Sequence, residues 1–220
     1  ETKRFQARKN TALELRPLKS LITNYPGRLA LLMGVAVPYA FGMAASVVLA
    51  SKFLQSTHAW SPGQVTALVL VAGTIAIVGN IAAGTMSDLY GRRTILAVMA
   101  IASALSFHAF YAWATGPWLV LFWIIGIFSY LATDTITSAL GAELFSTSHR
   151  AVASAIRLFA WLFAGGVGLL VEAELFEALG THGAAVAWLT LAAPLCVIPI
   201  WFLPEPAQRS LDDISAERAP

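Results

Sequence analysis

Six long apolar tracts, almost free of charge, are the feature that most restricts how this chain folds. A helix needs about 20 mostly apolar residues to cross the hydrocarbon layer of a bilayer. Only 12% of the residues are charged and 58% are hydrophobic, whereas soluble domains carry about 25% charged residues. This composition excludes a soluble enzyme, a disordered chain and a nucleic-acid-binding domain. We predict an all-α membrane protein, with spans at residues 29–50, 65–86, 95–114, 118–140, 152–171 and 184–203.

The basic residues predict the orientation of the spans. With six crossings both termini lie on one side, and this side receives 13 of the 14 Lys and Arg residues, leaving only Lys52 opposite. The positive-inside rule assigns the basic side to the cytoplasm. We therefore expect a cytoplasmic basic linker (residues 1–28), a transmembrane bundle (29–203) and a cytoplasmic tail (204–220) in the cell (inner) membrane.

One charged residue falls in the middle of a predicted span. Asp134 lies in the fourth tract, and a charge in hydrocarbon usually faces a bundle interior or a water-filled cavity. Neighbouring hydroxyl groups recur at helical spacing and form one polar stripe with it. Two interpretations stay open, a carboxylate that titrates or contacts substrate and a carboxylate held only for packing. The stripe comprises Tyr130, Thr133, Asp134, Thr137 and Ser138.

Weaker polar faces occur in three other tracts. The second tract places Gly73, Ile77, Asn80 and Gly84 on one face, where small residues permit close helix approach and Asn80 can hydrogen-bond to a neighbouring helix. The fifth aligns Arg157 and Trp161 with small residues, and the first presents Tyr39 in the same manner. The predicted cavity set is therefore Tyr39, Asn80, Tyr130, Asp134, Thr137 and Trp161.

The turn between the second and third tracts carries its own pattern, from Gly84 to Arg93. Asp88 ends a helix, where it can pair with a cation. Gly91 permits a tight reversal of the chain. Arg92 and Arg93 then bind lipid headgroups or bridge to a carboxylate on a neighbouring helix, although a generic basic turn would look the same.

This glycine–aspartate–glycine–arginine pattern resembles the signature loop of the major facilitator superfamily, with Thr94 in place of a third basic residue. Two more segments strengthen the resemblance. Residues 142–146, with Arg150 seven positions after Glu143, resemble the loop between the tenth and eleventh helices of sugar porters and metabolite symporters. Residues 203–214 resemble the sequence that follows their twelfth helix.

The resemblance implies that the chain is the carboxyl-terminal six-helix half of a twelve-helix carrier, beginning in the loop after helix six. It implies an amino-terminal half as partner, a small-molecule substrate and no cofactor or metal. It also implies a cytoplasmic gate, an ion-pair network that closes the inner ends of the helices. The implied gate residues are Gly84, Asp88, Gly91, Arg92, Arg93, Glu143 and Arg150, with Arg157 added from its helix face.

The substrate expectation follows from departures from the sugar-porter pattern. The paired glutamines of the seventh helix are absent at residues 38–42, and Asp134 lies where a glycine–proline pattern is usual. Both departures favour a small organic acid or another metabolite over a hexose, with a proton as the expected co-transported ion and Asp134 as its candidate site. An intramembrane enzyme is disfavoured, because the sequence holds no catalytic motif. A non-transporting six-helix scaffold, or a subunit that needs a partner half, stays open.

Overall fold

The structure is a computed structural model that describes residues 17–146 and 149–204. The greater part of the predicted linker and tail, including the exit sequence after residue 204, lies outside the described residues. The described part is helical and contains no strand. Its helices are α1 (Pro17–Asn24), α2 (Pro26–Val48), α3 (Ala50–His58), α4 (Pro62–Tyr90), α5 (Arg92–Ala112), α6 (Pro117–Leu144), α7 (Arg150–Leu179), α8 (His182–Thr190) and α9 (Val197–Phe202), with a 3-10 turn at Ala193–Cys196.

All six predicted spans are confirmed as helices long and apolar enough to cross a membrane. Three of them begin with proline in the first turn, where the missing N–H costs no hydrogen bond. At the start of α4, Ser61 and Gln64 form a capping box, since the Ser61 hydroxyl accepts from the Gln64 amide and the Gln64 side chain accepts from the Ser61 amide. The elements therefore start where local chemistry predicts.

The fifth and sixth spans differ most from the prediction. The fifth span was expected to end at residue 171, but α7 continues to Leu179 and stops at Gly180, whose φ of 75° lies in the left-handed region. The sixth span was expected to be one helix. It breaks into α8 and α9 around Pro194, which has no N–H to continue the ladder.

Close packing of α2 against α7 forms one side of the bundle, and α6 packs between α4 and α5. Where α2 meets α7, a Cβ added to Gly168 would lie closer to the Phe41 carbonyl oxygen than van der Waals contact allows. Small residues bring backbones together in membranes, where lipid supplies no hydrophobic drive for helix association. Gly168 is therefore the point that sets the spacing of α2 and α7.

The bundle is unevenly covered. Of the most apolar 18-residue stretch of each helix, 67% is buried inside the bundle in α5, but only 22% in α4 and in α7. The predicted small-residue face of α4 lies on the uncovered side, since Ile77 is 69% exposed and a Cβ on Gly73 or Gly84 would meet no atom within 4 Å. The close approach predicted at Gly84 is thus not made by any described helix.

The Gly168 contact predicts the effect of one added methyl group. Gly168→Ala should lower the stability of the protein in detergent by about 1–3 kcal/mol, because the obstructing atom is backbone and cannot rotate away. The matched control is Gly166→Ala in the same helix, where a Cβ meets nothing within 4 Å and higher helix propensity makes the change neutral or stabilising. The measurement is the thermal unfolding midpoint, and equal midpoints for the two variants would contradict the assigned contact.

Candidate functional site

The turn between α4 and α5 aims an arginine at two carboxylates. Gly91 has a φ of 100°, a conformation that side-chain-bearing residues rarely adopt, and the reversal starts α5 at Arg92. The Nη2 atom of Arg92 lies 2.8 Å from Asp88 Oδ1 and 2.6 Å from Glu143 Oε1. This guanidinium therefore joins the ends of α4 and α6 to the start of α5.

Burial distinguishes the two ion pairs of Arg92. The side chains of Arg92 and Glu143 are 15% and 17% exposed, whereas that of Asp88 is 60% exposed. An exposed pair contributes about 0–1 kcal/mol, and a shielded, charge-assisted bond contributes more. The link between Arg92 and Glu143 is consequently the stronger of the two.

The other predicted gate arginines bind elsewhere among the described residues. Arg93 Nη1 donates to the Leu203 carbonyl at 2.8 Å, and its guanidinium lies 5.9 Å from the Trp201 ring. Arg150 Nε donates to the Phe145 carbonyl at 3.1 Å. Arg93 thus links the start of α5 to the end of α9, and Arg150 links the start of α7 to the end of α6. The ion pairs described above join three predicted gate residues directly, namely Asp88, Arg92 and Glu143.

Arg157 lies deeper in the bundle, where it pairs with Asp134. Its Nη1 is 2.7 Å from Asp134 Oδ1, and its Nη2 donates to Ser138 Oγ at 2.7 Å. Asp134 precedes the end of α6 at Leu144 by ten residues, or about 15 Å along the helix. The arginine expected at the gate and the aspartate expected in the cavity therefore form one site.

This ion pair has one shielded and one open member. The Arg157 side chain is 10% exposed and the Asp134 side chain is 44% exposed. A half-exposed carboxylate at this depth would be costly against hydrocarbon. Its open side is therefore a surface for water, for solute or for another polypeptide.

Aromatic rings adjoin the pair. Tyr39, Tyr130 and Trp161 contact one another, with ring centroids 5.4–6.1 Å apart. Tyr130 is one helical turn from Asp134, and Trp161 is one turn from Arg157, whose guanidinium lies 5.9 Å from that ring. Four of the six predicted cavity residues thus lie together, namely Tyr39, Tyr130, Asp134 and Trp161. Tyr39 is 0% exposed, however, so it lies behind the other rings and does not face the open side.

The remaining cavity predictions fare differently. Thr137 is 1% exposed and donates its hydroxyl to the Thr133 carbonyl, so this side of α6 turns away from Arg157. The predicted stripe therefore splits into a buried row and an open row. Asn80 lies on α4 with a buried amide oxygen that has no hydrogen-bond partner among the described residues.

The pairing of Asp134 with Arg157 was missed from the sequence, although a signal for it existed. Both residues fall within predicted spans, and a charge in hydrocarbon is normally paired. A second pair was also missed at the opposite end of the bundle, where Glu172 Oε1 lies 2.7 Å from His182 Nδ1. The prediction ended the fifth span before Glu172, so its partner at the start of α8 could not be inferred.

Comparisons with known proteins agree with this architecture. The sequence model of the Major Facilitator Superfamily matches residues 31–220. Among solved structures, the chain is similar to the inward-open xylose transporter XylE from E. coli, with a TM-score of 0.58 and 21% identity. The alignment covers 86% of this chain and 51% of XylE, so the chain spans about half the length of that transporter. No curated protein matches it.

Proposed function

Because the chain belongs to the Major Facilitator Superfamily, we propose that it is the carboxyl-terminal half of a secondary transporter for a small organic metabolite. The family and the fold support a multi-pass membrane transporter rather than an enzyme. Alternating access moves the substrate, and a co-transported proton supplies the driving force. The observation that carries the proposal is the ion pair of Asp134 and Arg157 on the uncovered side of the bundle.

The proposed partner is an amino-terminal six-helix half. Support comes from α4 and α7, whose exposed faces are too apolar to border an aqueous cavity along their whole length. On α4, Ile77, Val78 and Ile81 are 67–72% exposed, and on α7, Phe159 and Phe163 are 65–70% exposed. A second bundle seated on these helices encloses the ion pair between the halves, as a midplane binding site requires.

The proposed cytoplasmic gate is centred on Arg92. It links α4, α5 and α6 through Asp88 and Glu143, and the superfamily resemblance adds Arg93 and Arg150 from the same end. The shielded, charge-assisted bond of Arg92 to Glu143 contributes about 1.5–3 kcal/mol, and the exposed pair with Asp88 contributes about 0–1 kcal/mol. A difference of this size is enough to bias two conformations without locking one of them.

We place the carrier in the cell (inner) membrane, with both termini of the chain on the cytoplasmic side. Arg28, Arg92, Arg93 and Arg150 lie at or near helix ends on one side of the bundle, and Lys52 lies in α3 at the other end. This distribution follows the positive-inside rule.

Removing charge from the gate should slow transport. Arg92→Gln should reduce uptake by the intact reconstituted carrier about tenfold, because a loss of about 1.4 kcal/mol in one conformation shifts the population tenfold. Asp88→Asn should have the same direction and a smaller size, since Asp88 is the more exposed partner. The matched control is Lys52→Gln at the other end of the bundle. Wild-type uptake in both gate variants, at equal protein levels, would refute the gate.

Asp134 should link transport to the proton gradient. A pH jump that makes the outside of proteoliposomes more acidic than the inside is expected to drive accumulation of substrate by the intact carrier. Asp134→Asn should abolish that accumulation, because the amide cannot take up a proton, and should spare exchange of substrate across the membrane. The proton role is excluded if Asp134→Asn keeps the wild-type response to the pH jump.

A further inference from the structure

Arg157 divides the two ends of its guanidinium between two different acceptors. A guanidinium binds a carboxylate best through two parallel N–H bonds. Here Nη1 goes to Asp134 and Nη2 goes to Ser138, at 2.7 Å each. Asp134 therefore holds Arg157 through one bond, and the second donor of the fork is bound to a neutral hydroxyl.

The two members also differ in how firmly they are fixed. Arg157 is 10% exposed, packs with its guanidinium 5.9 Å from the Trp161 ring and contacts α6 twice. Asp134 is 44% exposed and carries the only negative charge recorded on Arg157 within residues 17–146 and 149–204. An incoming anion on the open side thus meets a fixed cation whose partner is held by a single oxygen.

We propose that Arg157 is the carboxylate subsite of the carrier and that the substrate's carboxylate replaces Asp134 on it. This inference rests on the proposed transport function and narrows its substrate class to organic acids that carry a carboxylate. Substrate takes both donors of the fork, displacing Asp134 and Ser138. The partly exposed rings of Tyr130 and Trp161 pack against the organic part of the acid, and the buried ring of Tyr39 supports them from behind.

Charge balance then couples the acid to one proton. Before binding, Asp134 and Arg157 neutralise each other; after binding, the substrate carboxylate neutralises Arg157. The displaced carboxylate of Asp134 is left at membrane depth without a cation, and an unpaired charge there is costly. It takes a proton from the water of the open cavity, forming an O–H bond, so that one carboxylate and one proton enter together without net charge.

Within the described part of the chain, the surroundings of Asp134 supply no other ion that could neutralise the substrate in place of the proton. From α7 it faces Arg157, and on its own helix it lies one turn from Tyr130, behind which Tyr39 of α2 is stacked. The helices α4 and α5 also pack on α6, but neither brings an ion pair to Asp134 among the described residues. Proton uptake on binding is therefore assigned to Asp134 itself.

The test is ligand binding by the purified intact carrier in weakly buffered detergent solution. The probes are lactate, succinate and benzoate, each matched with its neutral amide, together with xylose and inorganic phosphate. Thermal shift measures binding, and a pH indicator dye measures proton uptake. At least one carboxylate should bind at least tenfold more tightly than its amide, with about one proton taken up per site.

The variants separate a subsite from a merely structural ion pair. Asp134→Asn removes the competitor, so it should bind the carboxylate at least as tightly as wild type and without proton uptake. Arg157→Gln should lose carboxylate binding. Because that variant leaves Asp134 unpaired and could misfold, the neutral pair Asp134→Asn with Arg157→Gln is tested beside it, and it should fold without binding the acid.

A matched control is Glu172→Gln, which removes the carboxylate that contacts His182. It should leave both binding and proton uptake unchanged.

Weaker carboxylate binding in Asp134→Asn would overturn the proposed displacement, and retained binding in the neutral pair would overturn the subsite. Binding of xylose, phosphate or an amide without any carboxylate would overturn the substrate class while leaving the transport proposal intact. Binding of no probe at all would also overturn the carboxylate subsite, whereas the transport proposal is judged separately, by uptake driven by the pH jump.

Discussion

The cost of an unsatisfied polar group in hydrocarbon governs this structure from the backbone to the side chains. Six segments become helices because a helix satisfies its own N–H and C=O groups. The same cost pairs Arg157 with Asp134 and gives Glu172 a hydrogen-bond partner in His182. Each of these two pairs therefore joins two helices.

The covered and uncovered sides of the bundle have different chemistry. On the covered side, α5 and α8 bury apolar residues around Phe107 and Phe110, and α2 meets α7 at Gly168. On the uncovered side, α4 and α7 expose apolar residues, and α6 exposes part of Asp134. In the proposed carrier this division is functional: the covered side keeps the half rigid, and the uncovered side forms one wall of the substrate path.

Two ion-paired sites lie at different depths of this wall, and they are linked by α6. Glu143 on α6 contacts Arg92 near the helix end, and Asp134 on the same helix contacts Arg157 further in. A movement of Asp134 is thus connected to Glu143 at the gate by the rigid helix α6. In the proposed carrier, α6 transmits substrate binding to the cytoplasmic end, with both pairs biasing the same two conformations.

Much of the fold could be predicted from the sequence, because tract length and charge depletion are enough to identify spans. The prediction that Asp88, Arg92 and Glu143 belong to one network came from the motif resemblance. The prediction of a polar cluster around Asp134 came from helical spacing. Helix phase alone could not tell which side of the stripe faces Arg157, so Thr137 was grouped with residues that it does not join. The break at Pro194 and the extension of α7 to Leu179 depend on packing and loop geometry, which the apolar pattern does not report.

The central claim is that the side of α6 bearing Asp134 is wet. Single cysteines at Ser138, which is exposed beside the pair, and at Leu105, which is 60% exposed on the apolar face of α5, test it directly. The native thiol of Cys196 is fully buried and is first replaced by alanine. In vesicles of the intact carrier, a charged, membrane-impermeant thiol reagent should label Ser138→Cys from at least one side and leave Leu105→Cys unlabelled. Labelling of neither cysteine from either side would place Asp134 against a dry surface and contradict the account.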